Sequence, residues 1–260
     1  MSLLAPLDRW LAPAPAERRI DWLRGARFAH RGLHGASAAG GTIPENSASA
    51  FAAAIARGYG IECDVQKTSD DAVVVFHDFE LDRLTGESGT VAQRSSPQMT
   101  QTVLSGSSDT VQTLRQMLDQ VAGQVPLLIE VKSRAERPVP AICLAVRRSL
   151  EGYRGAHAVM SFDPRVSHWF AVHSPLTPRG LVITEENAKA LTGRLRRHYW
   201  LWHARPDFLA YDIRDLPSRF AASQRKRGLP VATWTVRSAE LLDRAAAHAD
   251  APIAEGAGVV

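Results

Sequence analysis

Two short segments hold the residues most able to do chemistry. Gly60-Ile61-Glu62-Cys63-Asp64-Val65-Gln66 alternates apolar and polar side chains, and Val73-Val74-Val75-Phe76-His77-Asp78 answers it across a polar stretch. Period-two alternation marks a strand with two different faces. Placing Asp70 and Asp71 at the tip of a hairpin makes facing residues sum to 141, so that Asp64 faces His77. Alone, such a strand could carry its charges in water. Matching residues at other predicted strand ends argue for a site: His30-Arg31-Gly32 follows an apolar lead-in, and Leu127–Lys132 puts Leu128, Glu130 and Lys132 on one face. Pro44-Glu45-Asn46-Ser47 opens the first long helix, with Asn46 as its expected N-cap.

These motifs resemble the glycerophosphodiester phosphodiesterase family, whose signature runs His-Arg-Gly, Pro-Glu-Asn, Glu-x-Asp, His-Asp, Glu-x-Lys. All five elements stand in that order at 30–32, 44–46, 62–64, 77–78 and 130–132, over the first half of the chain. Two departures are Asp70-Asp71 where the family's hairpin tip carries Asp-Gly, and Ala254-Glu255-Gly256 where its closing strand commonly ends Thr-Asp before Pro.

The elements that must position these residues alternate along the chain. Strands are expected at 27–30, 60–66, 127–132, 158–163, 179–184, 208–213, 231–236 and 251–255, with helices between most of them. Eight such strands predict an α/β fold, a (β/α)8 TIM barrel, with a β-hairpin extension on strand 2 and an N-terminal helical segment. Residues 1–26 read as that segment and 27–260 as a single catalytic domain. An irregular loop is expected over 81–102. Thr113 to Gln116 reads as a capping box, and Leu114, Met117, Leu118 and Val121 as a core stripe.

Chemistry in such barrels sits at the C-terminal strand ends. Glu62, Asp64 and Glu130 would repel one another there unless a cation neutralised them, and an all-oxygen set suits Mg2+ or Ca2+. The resemblance makes the same three residues metal ligands and His30 and His77 the acid–base pair, suited to that role by their ordinary pKa. Arg31 and Lys132 are expected to hold phosphoryl oxygens, Trp234 to line the alcohol pocket, and Glu45 and Asn46 to support. The family's reaction would be hydrolysis of glycerophosphodiesters to sn-glycerol 3-phosphate and an alcohol, through a cyclic phosphate. Alternatives are a phospholipase D-like activity on lysophospholipids and a silent barrel that only binds phosphoryl ligands.

The formal charge of +4 over 260 residues is modest and thinly spread. Arg194, Arg196, Arg197 and His198, and Arg225 to Arg227, read as solvated helix faces, so no nucleic-acid partner is expected. Cys63 and Cys143 read as buried hydrophobes without a disulfide framework. No segment reaches the ~18 apolar residues of a membrane span, and no leader pattern opens the chain. The expectation is a cytoplasmic protein with a small-molecule substrate and no stable membrane insertion.

Overall fold

The computed structural model describes residues 4–16, 19–36, 42–134 and 136–259. Eight parallel strands with helices between them make the expected (β/α)8 barrel, and a ninth strand, Val73–Val75, is added antiparallel as the hairpin. By contacts the chain divides into Phe28–His157 and, separately, Met1–Arg27 with Ala158–Val260.

In the first unit, Phe28–His30 and Leu127–Val131 flank Gly60–Lys67. The register sets His30 level with Glu62, and Asp64 level with Glu130. Covered on both faces, the central strand is buried at every position but Lys67. The helix Leu114–Val121 starts with the expected capping box, Thr113 Oγ1 accepting from Gln116 N at 3.2 Å, and its predicted stripe is fully packed.

Three expectations need correction in this unit. The hairpin register sums to 140, with Val65, Gln66 and Lys67 facing Val75, Val74 and Val73. Thr68 N donates to Ala72 O, and the loop has three residues, ending on Asp71 at φ 62°. Asp70, at the centre of that loop, accepts from Thr68 Oγ1 and Ser96 N, and Asp64 lies opposite Phe76. Secondly, Ser47 rather than Asn46 caps the helix Ala48–Ala56. Thirdly, 81–102 holds short helices at Asp82–Thr85, Val91–Gln93 and Ser96–Gln101. Capping boxes at Thr90 and Ser95 start two of them, and Leu81, Val91 and Met99 join Val74 and Phe76 in a small core.

In the second unit the strands His157–Ser161, Arg179–Ile183, Phe208–Asp212, Val231–Val236 and Ala251–Ala254 follow one another in register. Of the predicted N-terminal pieces, Ala5–Leu11 is a helix and Asp21–Leu23 a 3-10 turn. Asp8 is buried and accepts from His198 Nδ1, Trp202 Nε1 and Gln224 Nε2, each at 2.8 Å. His198 and Arg197 are therefore not solvated as the charge run implied. Both are buried, Arg197 against Glu185 Oε2 at 3.2 Å. The helix carrying them is Leu191–Ala204. Among the described residues, no helix is long and apolar enough to cross a membrane.

Candidate active site

Every expected site residue but Trp234 falls in the Phe28–His157 unit. Alternation on the central strand puts Glu62, Asp64 and Gln66 on one face, and the neighbouring strand brings Glu130 level with Asp64. The three carboxylates are buried and offer oxygens within 4.8 Å of one another. At an effective dielectric of about 20, each such pair repels by roughly 3 kcal/mol. The repulsion is met in part by the protein itself. Lys132 Nζ lies 2.7 Å from Glu130 Oε1 and 2.9 Å from Asp64 Oδ1, and Arg31 Nε lies 3.4 Å from Asp64 Oδ2. The two expected phosphate-holding cations are thus paired with carboxylates, and the cluster keeps one excess negative charge.

That excess falls on Glu62. Burial, then the charges of Asp64 and Glu130, push its carboxyl well above the usual range. Burial also works against ionised Asp64, but Lys132 and Arg31, with His77 and Asn46, outweigh it and hold that carboxyl well below its ordinary value. Burial disfavours the Lys132 ammonium, yet Glu130 and Asp64 reverse this and bind its proton more tightly than usual. A cluster one charge short, built only from oxygens, fits a hard divalent cation.

The turn after the first strand delivers His30 and Arg31. Arg31 has φ 54°, its N–H donates to Glu62 Oε2 at 3.1 Å, and Gly32 follows at φ 79°. A Cβ on Gly32 would fall 2.8 Å from Ala50 Cβ, so only glycine lets the turn lie against the helix. His30 Nε2 is 4.0 Å from Glu62 Oε2. Asn46, at φ 55°, is drawn from the cap to Asp64: Nδ2 donates to Oδ2 at 3.0 Å, and Asp64 N donates to Oδ1 at 3.2 Å.

His77 lies beyond the ladder, where its charge acts on Asp64. Its Nδ1 meets Asp78 Oδ1 at 2.6 Å. Two partners escaped sequence reasoning. Gln66 Nε2 reaches the carbonyls of Phe76, His77 and Asp78 at 3.0, 3.1 and 2.5 Å; its place two residues after Asp64 was the available signal. Arg83, in the supposed loop, bridges Asp78 and Glu45, and no local pattern marks it. Glu45, depressed by Arg83 and Arg31 against the effect of burial, also accepts from Arg31 Nη1 at 2.7 Å. Trp234, in the other unit, donates to Ala210 O at 3.0 Å and stands edge-on to Phe162.

A sequence model of the Glycerophosphoryl diester phosphodiesterase family matches residues 30–258. The chain belongs to this family. It is 28% identical to the Bacillus subtilis protein YhdW over 219 residues, 81% of this chain and 86% of that one. The Bacillus subtilis protein YqiK is 34% identical over 130 residues, 49% of this chain and 47% of its own, so that match spans about half of the relative. Among solved structures, an Oleispira antarctica phosphodiesterase in complex with the product sn-glycerol-3-phosphate has the same fold, with TM-score 0.74 and 20% identity over 89% of this chain and 93% of that one. A Thermotoga maritima glycerophosphodiester phosphodiesterase aligns with TM-score 0.69 and 25% identity over 88% and 94%.

Proposed function

We propose that this protein acts in the cytoplasm and hydrolyses glycerophosphodiesters, as small-molecule substrates, to sn-glycerol 3-phosphate and an alcohol. The observation that carries the proposal is the meeting of three buried carboxylates with an imidazole, His30 Nε2, 4.0 Å from Glu62 Oε2. Glu62, Asp64 and Glu130 would hold Mg2+ or Ca2+, which when bound supplies the positive charge that polarises a phosphoryl oxygen and the neighbouring glycerol hydroxyl.

His30 and His77 exchange protons with the substrate. Asp78 fixes the His77 ring through Nδ1 and leaves Nε2 to carry the proton. One histidine takes the proton of the hydroxyl adjacent to the phosphorylated carbon while the other protonates the departing alcohol. The hydroxyl, already beside the phosphorus, attacks with the advantage of proximity, and the roles reverse as water opens the cyclic phosphate. Arg31 and Lys132 steady phosphoryl oxygens from their places along the carboxylates. Asn46 and Glu45 hold Asp64 and Arg31 in position. Trp234 stays in the proposal, as a wall for the alcohol, on the sequence resemblance alone.

The deciding experiment is a screen of glycerophosphodiesters with different head groups, using chelated protein with and without added Mg2+ or Ca2+. Release of sn-glycerol 3-phosphate only with metal is expected. No turnover of any glycerophosphodiester under either condition would overturn the proposal.

A further inference from the structure

The unit made of Met1–Arg27 and Ala158–Val260 carries a groove of about 1500 Å3, remote in sequence from the carboxylate cluster. Arg9, Lys189, Arg194, Arg219 and Lys226 line it, all exposed. Among the described residues none of the five is paired with a carboxylate. The two acids of the groove do not balance them: Glu185 is paired with Arg197, and Asp215 sets one negative charge against five positive. Glu185 takes bonds from Tyr211 Oη at 2.5 Å and Ser218 Oγ at 2.6 Å and faces Arg197, while Asp215 accepts from Thr184 Oγ1 at 3.2 Å. Five cations against one carboxylate around one depression make an anion-attracting surface.

The same surface is apolar along one edge. On the helix Leu191–Ala204, Leu191 is 69% exposed, Leu195 50% and Tyr199 60%, each one turn beyond the last. A lone exposed leucine means nothing. Three apolar side chains stacked at i, i+4 and i+8 beside Arg194 and the exposed Arg196 have the composition of a helix that lies in a lipid interface. Phosphates of a nucleic acid would satisfy the cations but would leave the leucines in water.

We infer that this face seats the protein on an anionic lipid bilayer, with lipid phosphates on the groove cations and Leu191, Leu195 and Tyr199 in the headgroup boundary. Contact is from one side only, since no helix of the described residues can span a membrane. Each cation brought to an anionic surface strengthens partition about fivefold, so three account for roughly 100-fold.

The test sediments the full chain with vesicles of phosphatidylcholine alone or mixed equally with phosphatidylglycerol. Binding to the mixed vesicles only is expected. It should fall by roughly 100-fold in Arg9→Gln/Arg194→Gln/Arg219→Gln and weaken in Leu191→Ser/Leu195→Ser, where no charge is lost. A control with equal charge removed elsewhere, Arg137→Gln/Arg147→Gln/Arg148→Gln, should keep the wild-type binding. Circular dichroism and turnover of a soluble glycerophosphodiester check that each variant is folded, since none of these residues belongs to the catalytic cluster. Three results would overturn the inference: no binding of the wild type to mixed vesicles, equal loss in the groove and control variants, or groove-dependent binding of a single-stranded RNA without binding to vesicles.

Discussion

Arg83 grips the Asp78 carboxylate through two bonds, Nε to Oδ2 at 2.5 Å and Nη2 to Oδ1 at 3.0 Å. The same guanidinium reaches both oxygens of Glu45, at 3.0 and 2.8 Å. Asp78 in turn orients His77, and Glu45 holds Arg31. Bonding from Arg83, opposed by burial and helped by His77, keeps the Asp78 carboxyl down at about 2. One side chain thus sets two members of the proposed site. Replacing Arg83 by Ala should lower kcat by roughly 10- to 100-fold with little change in KM. Lysine cannot fork to both acids and should restore only part, and added guanidine should rescue the alanine variant. Wild-type kcat in Arg83→Ala would remove Arg83 from the positioning of His77.

Chelation should abolish turnover, and Mg2+ or Ca2+ should bring it back. A proton is coupled to that step. Glu62 titrates above its ordinary range in the folded protein, so on the acid side of that raised value a cation must displace its proton. Affinity should therefore rise with pH, and calorimetry in buffers of different ionisation enthalpy should record proton release. Tight, pH-independent binding would show that Glu62 is not a ligand.

A cyclic route needs the hydroxyl next to the phosphorylated carbon. A substrate lacking that hydroxyl but bound normally should turn over at least ~100-fold more slowly. Trapping a cyclic glycerophosphate by rapid quench would be the positive counterpart. Fast hydrolysis of the deoxy substrate would mean that water attacks directly.

Asp8 carries a prediction for stability. Burial alone would raise its pKa, but bonds from His198, Gln224 and Trp202 outweigh burial and lower it. A carboxyl depressed in the folded state stabilises above its unfolded pKa, and that contribution is lost as pH falls through the folded value. Asp8→Ala leaves the buried His198 and Gln224 and the half-buried Trp202 without their acceptor and should cost about 3–5 kcal/mol in chemical denaturation at neutral pH. Asp8→Asn should show a flatter loss of stability on acidification than the wild type.

Much of this was legible because strands announce themselves locally. Glu62, Asp64 and Glu130 were placed by alternation alone, and eight apolar runs separated by helical stretches gave the barrel. What stayed hidden depends on contacts between distant residues. Asn46 and Ser47 are both good caps, and Asp64 decides between them by taking the Asn46 amide. A two-residue tip and a three-residue loop differ by one position, and Ser96, reaching across to Asp70, favours the longer loop. Arg197 and His198 look like surface charges until Glu185 and Asp8 meet them.

The partners of Asp8 stand 190, 194 and 216 positions further along the chain. On the ribosome, at roughly 5–20 residues per second, the last of them arrives roughly ten to forty seconds after Asp8 itself. The Phe28–His157 unit draws its own contacts from an uninterrupted stretch and is synthesised within that interval. The helix Ala5–Leu11 thus emerges well before the partners of Asp8 and docks only after them, joining a closure whose entropic cost grows only slowly with the length it spans. Until then its carboxylate faces water, and a turn made early is late to gain its buried neighbours.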